Sequence, residues 1–336
     1  MGMTRAGQGD ALVVDCHVHI LRPDWNPNMG EGLEGLSDSW ARQVRWYYGP
    51  KVDPAYLMAS IAACWDPDGD RLVARMDEAG VDTSVMMPMD HTWAFPDPEV
   101  IPIAEKNRLC RAACARHPGR LYTFAGVDPR RPDAVAILRE SLDEGAIGLK
   151  LYPTDGFYPD DEVVAPLYAL CAERDVPVLF HTGHSSGRQK SKYSHPMYID
   201  SAAADFPEVR MIMGHSGRFE AWSKEALAVA LYKENTYLDL SLWQHFTSPD
   251  ELVRQLVWIR DRIGIERVLF GSDMVGIDVS LSLGEWAEML RQVPEWANQL
   301  GFRLTPEEID LVLGENARRC YRIPDAALES RRARAA

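Results

Sequence analysis

His17 and His19 stand two residues apart in the apolar run LVVDCHVHI, and the period of two along a β-strand turns both imidazoles to one face. Two such rings can share a cation. Three further candidates end apolar runs of strand composition: His181 closes VPVLFH, His215 closes VRMIMGH and Asp273 closes RVLFGSD. Imidazole nitrogen and carboxylate oxygen are donors that suit zinc, and a catalytic zinc keeps one position open for water or substrate. The competing reading of these five residues is a set of buried polar groups that satisfy one another on the rim of a domain.

Gathering five residues this far apart is a demand on the fold. From about residue 80 onward, short runs rich in Val, Ile, Leu and Met alternate with longer amphipathic stretches, the rhythm of repeated β-α units around a parallel sheet. The pattern predicts eight strands, starting near Leu12, Thr83, Leu121, Ile147, Val176, Val209, Thr236 and Arg267. At about 30 residues per β-α unit, the 34 positions from His181 to His215 are one unit and the 58 from His215 to Asp273 are two. The candidates then fall on strands 1, 5, 6 and 8 of an α/β (β/α)8 TIM barrel, at the carboxyl rim where such barrels build their sites. Ser248-Pro249-Asp250-Glu251 and Thr305-Pro306-Glu307-Glu308 each combine a capping box with proline at the first helical position, and Gly264 closes the first of these helices. Residues 22–63 break the rhythm after strand 1. This insertion carries Trp25, Trp40, Trp46, Tyr47 and Tyr48, and it reads as a lid, a subunit contact or a locally packed surface element. No repeat, linker or long charge run marks off a second domain, so residues 1–336 read as one barrel domain.

Six motifs widen the comparison: VVDCHVHI, GLKLYP, VLFHTG, IMGHSG, VLFGSD and the closing GENARR. Together they resemble the amidohydrolase superfamily, and within it the branch containing aminocarboxymuconate semialdehyde decarboxylase, the resorcylate-type decarboxylases and several lactone hydrolases. CWDPDGDRLVARMDEAGV, from Cys64 to Val81, is especially similar to the decarboxylase for which the branch is often named. The resemblance runs from about residue 12 to residue 322. It implies that His17, His19, His181 and Asp273 surround one divalent metal, usually zinc, whose bound water ionises near pH 7. It also implies that His215 sits beside the metal, polarising the substrate or holding the water, while Asp273 takes up the water's proton and later returns it. Relatives commonly pair as dimers, so a homodimer is expected.

Other residues carry two readings each. Lys150, in IGLKLYP, stands where some superfamily members carry a carboxylated lysine bridging two metals, although a core or rim salt bridge suits it too. His184 either touches substrate or lies in a solvated loop. Arg188, Lys190 and Lys192 form a positive cluster that would draw a carboxylate, or simply an exposed loop. Arg218 either holds a substrate carboxylate bidentately or makes a surface salt bridge. His91, Trp93 and Phe95 line the barrel mouth or pack at its rim. His195 and His245 are undecided, and His117, beside Pro118-Gly119, reads as a turn residue. By strand alternation Cys16 points away from the metal.

Charge narrows the partners. The 50 Asp and Glu against 36 Lys and Arg give a net charge of −14, which repels phosphate backbones and anionic membranes. The expected partner is a small molecule, anionic in view of the local basic residues, and neither nucleic acid nor membrane. A polar start, MGMTRAGQGD, and the lack of any run of 18 apolar residues point to the cytoplasm. The 6 cysteines show no CxxC spacing and are expected to be reduced thiols. Two chemistries fit the site, hydrolysis of a lactone, amide or related carbonyl and non-oxidative decarboxylation of an aromatic or unsaturated acid. A barrel that binds without catalysis is a third. The resemblance favours hydrolysis over the two decarboxylases. Leu57 to Ala63 lacks the arginine that binds substrate in the aminocarboxymuconate enzyme, and His17 stands where the resorcylate-type enzymes place a glutamate.

Overall fold

Alternating apolar residues decide which way each strand faces, and the two resulting layers organise the described residues. The structure is a computed structural model that describes residues 11–20, 66–94, 101–185, 189–218, 220–273 and 281–324. The insertion at 22–63, Phe95 and Arg188 lie outside the described residues. The strands are β1 (Val14–Val18), β2 (Thr83–Met86), β3 (Leu121–Thr123), β4 (Ala125–Gly126), β5 (Leu149–Leu151), β6 (Val178–His181), β7 (Met211–Gly214), β8 (Thr236–Asp239) and β9 (Val268–Leu269). Every pairing is parallel, in the order β1-β2-β3 and β4-β5-β6-β7-β8-β9. β3 and β4 act as one strand broken at Phe124, since Ala125 N donates to Gly148 O at 2.8 Å and Ile147 N to Thr123 O at 2.9 Å. First and last strands are joined by Cys16 N to Phe270 O at 2.9 Å and Asp273 N to His17 O at 2.8 Å. These are the eight expected strand positions of a (β/α)8 barrel, with α1 (Asp70–Ala79), α2 (Ile103–Arg116), α3 (Ala134–Asp143), α4 (Ala165–Arg174), α5 (Met197–Asp205), α6 (Glu220–Tyr232), α7 (Pro249–Arg262) and α8 (Leu283–Gln299) between and after the strands.

Outward-facing residues such as Val13, Val18, Leu149, Leu151, Phe180 and Leu238 pack under these helices. Inward-facing Val14, Val85, Phe124, Leu179, Ile212 and Leu269 fill the lumen. After α9 (Pro306–Asp310), the lumen is stoppered by the C-terminal helix α10 (Asn316–Tyr321), which places Ala317, Cys320 and Tyr321 against the inward set. Asn316 secures the stopper, donating to Ile265 O at 2.8 Å and Val268 O at 2.9 Å, which gives the GENARR motif a structural task. The capping boxes at Ser248 and Thr305 form as expected, and Ser282 with Glu285 makes another. No helix among the described residues is long and apolar enough to cross a membrane.

One departure from regular alternation shapes the site. Between Asp15 and Val18 three steps of β1 oppose two of β2, from Ser84 to Met86, so β1 carries a bulge. The extra residue lets consecutive side chains face the same side: Cys16 packs in the lumen cluster, and His17 lies directly above it. The expectation that Cys16 points away from the site is therefore corrected. Its thiol sits 4.0 Å from Asp239 Oδ1, buried among apolar neighbours as a packing residue.

Candidate metal centre

The strand ends bring His17, His19 and Asp273 together, with ligand atoms all within 4.8 Å of one another. His19 Nε2 lies 3.1 Å and His17 Nε2 3.4 Å from Asp273 Oδ1. Two strand ends bend to allow this. His215 and Asp273 both adopt left-handed backbone, with φ of 64° and 56°, a conformation that non-glycine residues hold only where the surroundings enforce it. For Asp273 the enforcement comes from Asp15, whose carboxylate accepts Ser272 N at 2.9 Å and Ser272 Oγ at 2.6 Å. Burial pushes the Asp15 carboxyl up to about 7. Gly271 has no side chain because a Cβ there would stand 2.6 Å from Asp239 Oδ1.

The protons on the opposite ring nitrogens fix what the trio can do. His17 Nδ1 donates to the Asp239 carboxylate at 2.6 Å and His19 Nδ1 donates to Met87 O at 2.6 Å. Both acceptors lack protons, so the tautomers follow from the partners. Burial, with the charge of Lys150 adding to it at His17, lowers the pKa of both rings and keeps them neutral. Burial alone would raise the Asp273 carboxyl, yet it lies well below the usual carboxylate range and is the anion of the group. Three acceptors therefore converge: two imidazole lone pairs and one anion. Such a cluster is stable only around a cation, and its donor set fits a divalent metal. Asp273, its side chain 19% exposed, is the member of the trio most open to solvent.

A second row of residues supports the first. Asp239 accepts not only from His17 but from Ser241 N and Ser241 Oγ, each at 2.7 Å, and from His215 N at 3.3 Å. With the Ser241 proton given to Asp239, Ser241 Oγ accepts from His215 Nδ1 at 2.8 Å. His215 Nε2 then accepts from His181 Nδ1 at 3.2 Å, and His181 Nε2 accepts from Ser185 Oγ at 3.0 Å. His181 thus joins the trio through His215 rather than by direct contact, and its tautomer leaves on Nε2 a lone pair, engaged here by Ser185 Oγ, that a cation could take in place of that hydroxyl. Burial pushes His215 down to about 4 and holds His181 well below its ordinary value. Lys150 also faces inward, its flanking leucines facing out; its Nζ lies 3.0 Å from His17 Nε2, and burial pushes it down to about 8.

The remaining sequence candidates lie around this centre. Arg218, buried and left-handed at φ 58°, donates to His184 O at 3.0 Å and lies 5.9 Å from the Phe246 ring, while burial lowers it to about 10 against the pull of Asp273. His184 stacks on Trp222 at 4.2 Å, and His195 meets the same ring at 4.7 Å. His91 donates to the buried Asp155 at 2.7 Å and packs edge-on at 4.7 Å against Tyr152, which stacks 4.4 Å from His181. Trp93 is not drawn in; its ring, 45% exposed, lies between the guanidinium groups of Arg130 and Arg131 at 5.3 and 5.4 Å. Lys192 is exposed over Tyr193, His245 is largely buried, and His117 ends α2, paired with Asp70 at 2.8 Å. Lys190 N donates to Thr154 O at 2.8 Å.

Arg218 keeps its place because Gly183 yields space. A Cβ on Gly183, whose φ is 103°, would stand 2.6 Å from Arg218 Cβ, whereas one on Gly145, at φ 102°, meets nothing within 4 Å. Gly183→Ala is expected to destabilise the protein in urea by about 1–3 kcal/mol more than Gly145→Ala, because only the former adds a clash to the backbone strain. Equal losses in the two variants would mean that Arg218 is not held by this contact.

Asp239, Ser241 and Tyr152 escaped the sequence reading. The signal for the first two was present in TYLDLSL, where Asp239 and Ser241 share the parity of a strand facing inward.

The chain has relatives of known fold. A solved 5-carboxyvanillate decarboxylase from Novosphingobium aromaticivorans, complexed with manganese and a nitrobenzoic acid, aligns over 96% of this chain and 100% of its own at 14% identity and a TM-score of 0.64. A 2,6-dihydroxybenzoate decarboxylase complexed with 2,6-dihydroxybenzoate aligns over 93% of this chain and 99% of its own at 19% identity and 0.63. A probable 2-pyrone-4,6-dicarboxylic acid hydrolase from Acinetobacter baumannii, with citric acid bound, aligns over 92% and 98% at 12% identity and 0.60. Likenesses at these identities show the fold. No protein of curated function matches the sequence. A family profile described as Amidohydrolase matches residues 14–323, from the first strand of the barrel to just past its stopper, and the chain belongs to that amidohydrolase family of enzymes.

Proposed function

We propose that the protein is a metal-dependent hydrolase of a small, carboxylate-bearing lactone, amide or related carbonyl compound, with zinc as its cation. The observation that carries this reading is the convergence of His17 Nε2, His19 Nε2 and Asp273 Oδ1 with the ring protons held on the far side. His181 is the fourth ligand in this proposal, through the Nε2 that its bond to His215 leaves as a lone pair. A divalent cation held by these residues supplies Lewis acidity to a substrate oxygen and lets water ionise near neutral pH. The chain's own groups do the rest. Asp273, ionised and partly open to the mouth, takes a proton from the attacking water and returns it to the leaving group. His215 is neutral, and in the tautomer set by Ser241 its Nε2 is an acceptor, which suits holding a water or orienting His181 rather than donating to a carbonyl oxygen. Arg218, bonded to a neutral carbonyl and drawn electrostatically toward Asp273, is placed to meet the substrate's carboxylate, with His184 and His91 as further contacts.

The test sets acid release from a panel of lactones and amides against carbon dioxide release from hydroxybenzoates and muconates, in protein supplied with zinc. Acid release alone is expected. Gas alone would replace hydrolysis by decarboxylation, and bound metal with neither product would leave a binding barrel.

A further inference from the structure

Lys150 Nζ lies 3.0 Å from His17 Nε2, and that nitrogen has a single lone pair because its ring proton is committed to Asp239 at Nδ1. One lone pair serves one partner. A metal held by His17 would need that same lone pair. The buried ammonium also faces Asp273 and Asp239, and lies 5.7 Å from the Tyr152 ring, so it is a cation that the described residues themselves offer to the acceptor cluster, in hydrogen-bond reach of His17. We infer that Lys150 is a built-in competitor of the metal: the ammonium holds His17 Nε2 and the charge of the cluster, and a divalent cation binds only by displacing it. The inference rests on reading His17, His19 and Asp273 as ligands, and it assigns to Lys150 the task of setting metal affinity. It differs from a role as a carboxylated bridging ligand, in which the side chain would strengthen metal binding.

The experiment is a zinc titration of the full chain in competition with a chromophoric chelator, for the wild type and for Lys150→Met, which keeps the length and removes the charge. The variant is expected to bind zinc at least about tenfold more tightly, since removing a like charge at contact distance relieves repulsion with the incoming cation. Equal or weaker binding by the variant, with zinc bound by the wild type, overturns the competition and leaves the ligand reading standing. Zinc bound by neither protein overturns both. A second measurement needs only the wild type: its zinc affinity is expected to be the same in carbon-dioxide-free buffer and in bicarbonate, whereas an affinity that rises with bicarbonate would make Lys150 a carbamate ligand and overturn the inference.

Discussion

Asp273→Ala loses at least about two orders of magnitude in kcat/KM, the lower end of the range for removing a positioned acid–base group. The size of the effect follows from two tasks on one carboxylate. Its Oδ1 lies within 3.4 Å of both His17 Nε2 and His19 Nε2, so truncation takes away the only anion of the converging trio and leaves two lone pairs to hold a cation. It is also the trio's most exposed member and the one that stays ionised at neutral pH, so nothing else there can relay the water's proton. Asp273→Asn separates the tasks. The amide keeps one oxygen for the cation but cannot accept a proton to become an acid, so its zinc content should fall less than that of the alanine variant while its rate falls about as far. The measurements are turnover on whichever substrate the panel yields and zinc per chain by elemental analysis. An alanine variant retaining more than about a tenth of the activity would remove Asp273 from the mechanism.

Much of this centre is legible in the sequence because barrel strands deliver their last residues to a common rim. His181, His215 and Asp273 each end an apolar run, His17 and His19 lie near the end of another, and all five lie in one connected network. The eight strand positions follow from the same rhythm, since a strand covered on both faces must be apolar nearly throughout. Local backbone detail is what strand periodicity cannot supply. The bulge in β1 puts Cys16 and His17 on one side, because a period of two holds only while the pairing register is kept. Lys150 was ambiguous for the related reason that IGLKLY is apolar on both sides; its direction is settled by Leu149 and Leu151 turning outward. Trp93 lies beyond its strand, in a loop whose course is set by Asp90, Arg130 and Arg131, contacts between segments about 40 residues apart. The turns at His215 and Asp273 are likewise held in left-handed backbone by tertiary hydrogen bonds, which no local pattern announces.

Asp239→Asn is expected to weaken zinc binding by about 10- to 100-fold, or about 1.4–2.7 kcal/mol, although Asp239 is not among the proposed ligands. The reason lies in the number of donors it serves. One oxygen takes His17 Nδ1 at 2.6 Å and Ser241 Oγ at 2.7 Å, while the other takes Ser241 N at 2.7 Å. An asparagine in the same place turns an NH2 toward one of these donors, so either Ser241 N loses its acceptor or His17 loses the partner that keeps its proton on Nδ1. If the proton moves to Nε2, the lone pair that faces Asp273 is gone, and with it one of the three acceptors. Charge works in the same direction, since the carboxylate makes the imidazole a better donor to a cation and an amide does not. Ser241→Ala is the informative companion: it cuts the bond to His215 Nδ1 but leaves the His17–Asp239 contact, and its zinc affinity should fall less. A twofold or smaller change in Asp239→Asn, measured by the same chelator competition, would show that the His17 tautomer does not depend on this carboxylate, and the three-acceptor account of the site would then fail at its first nitrogen.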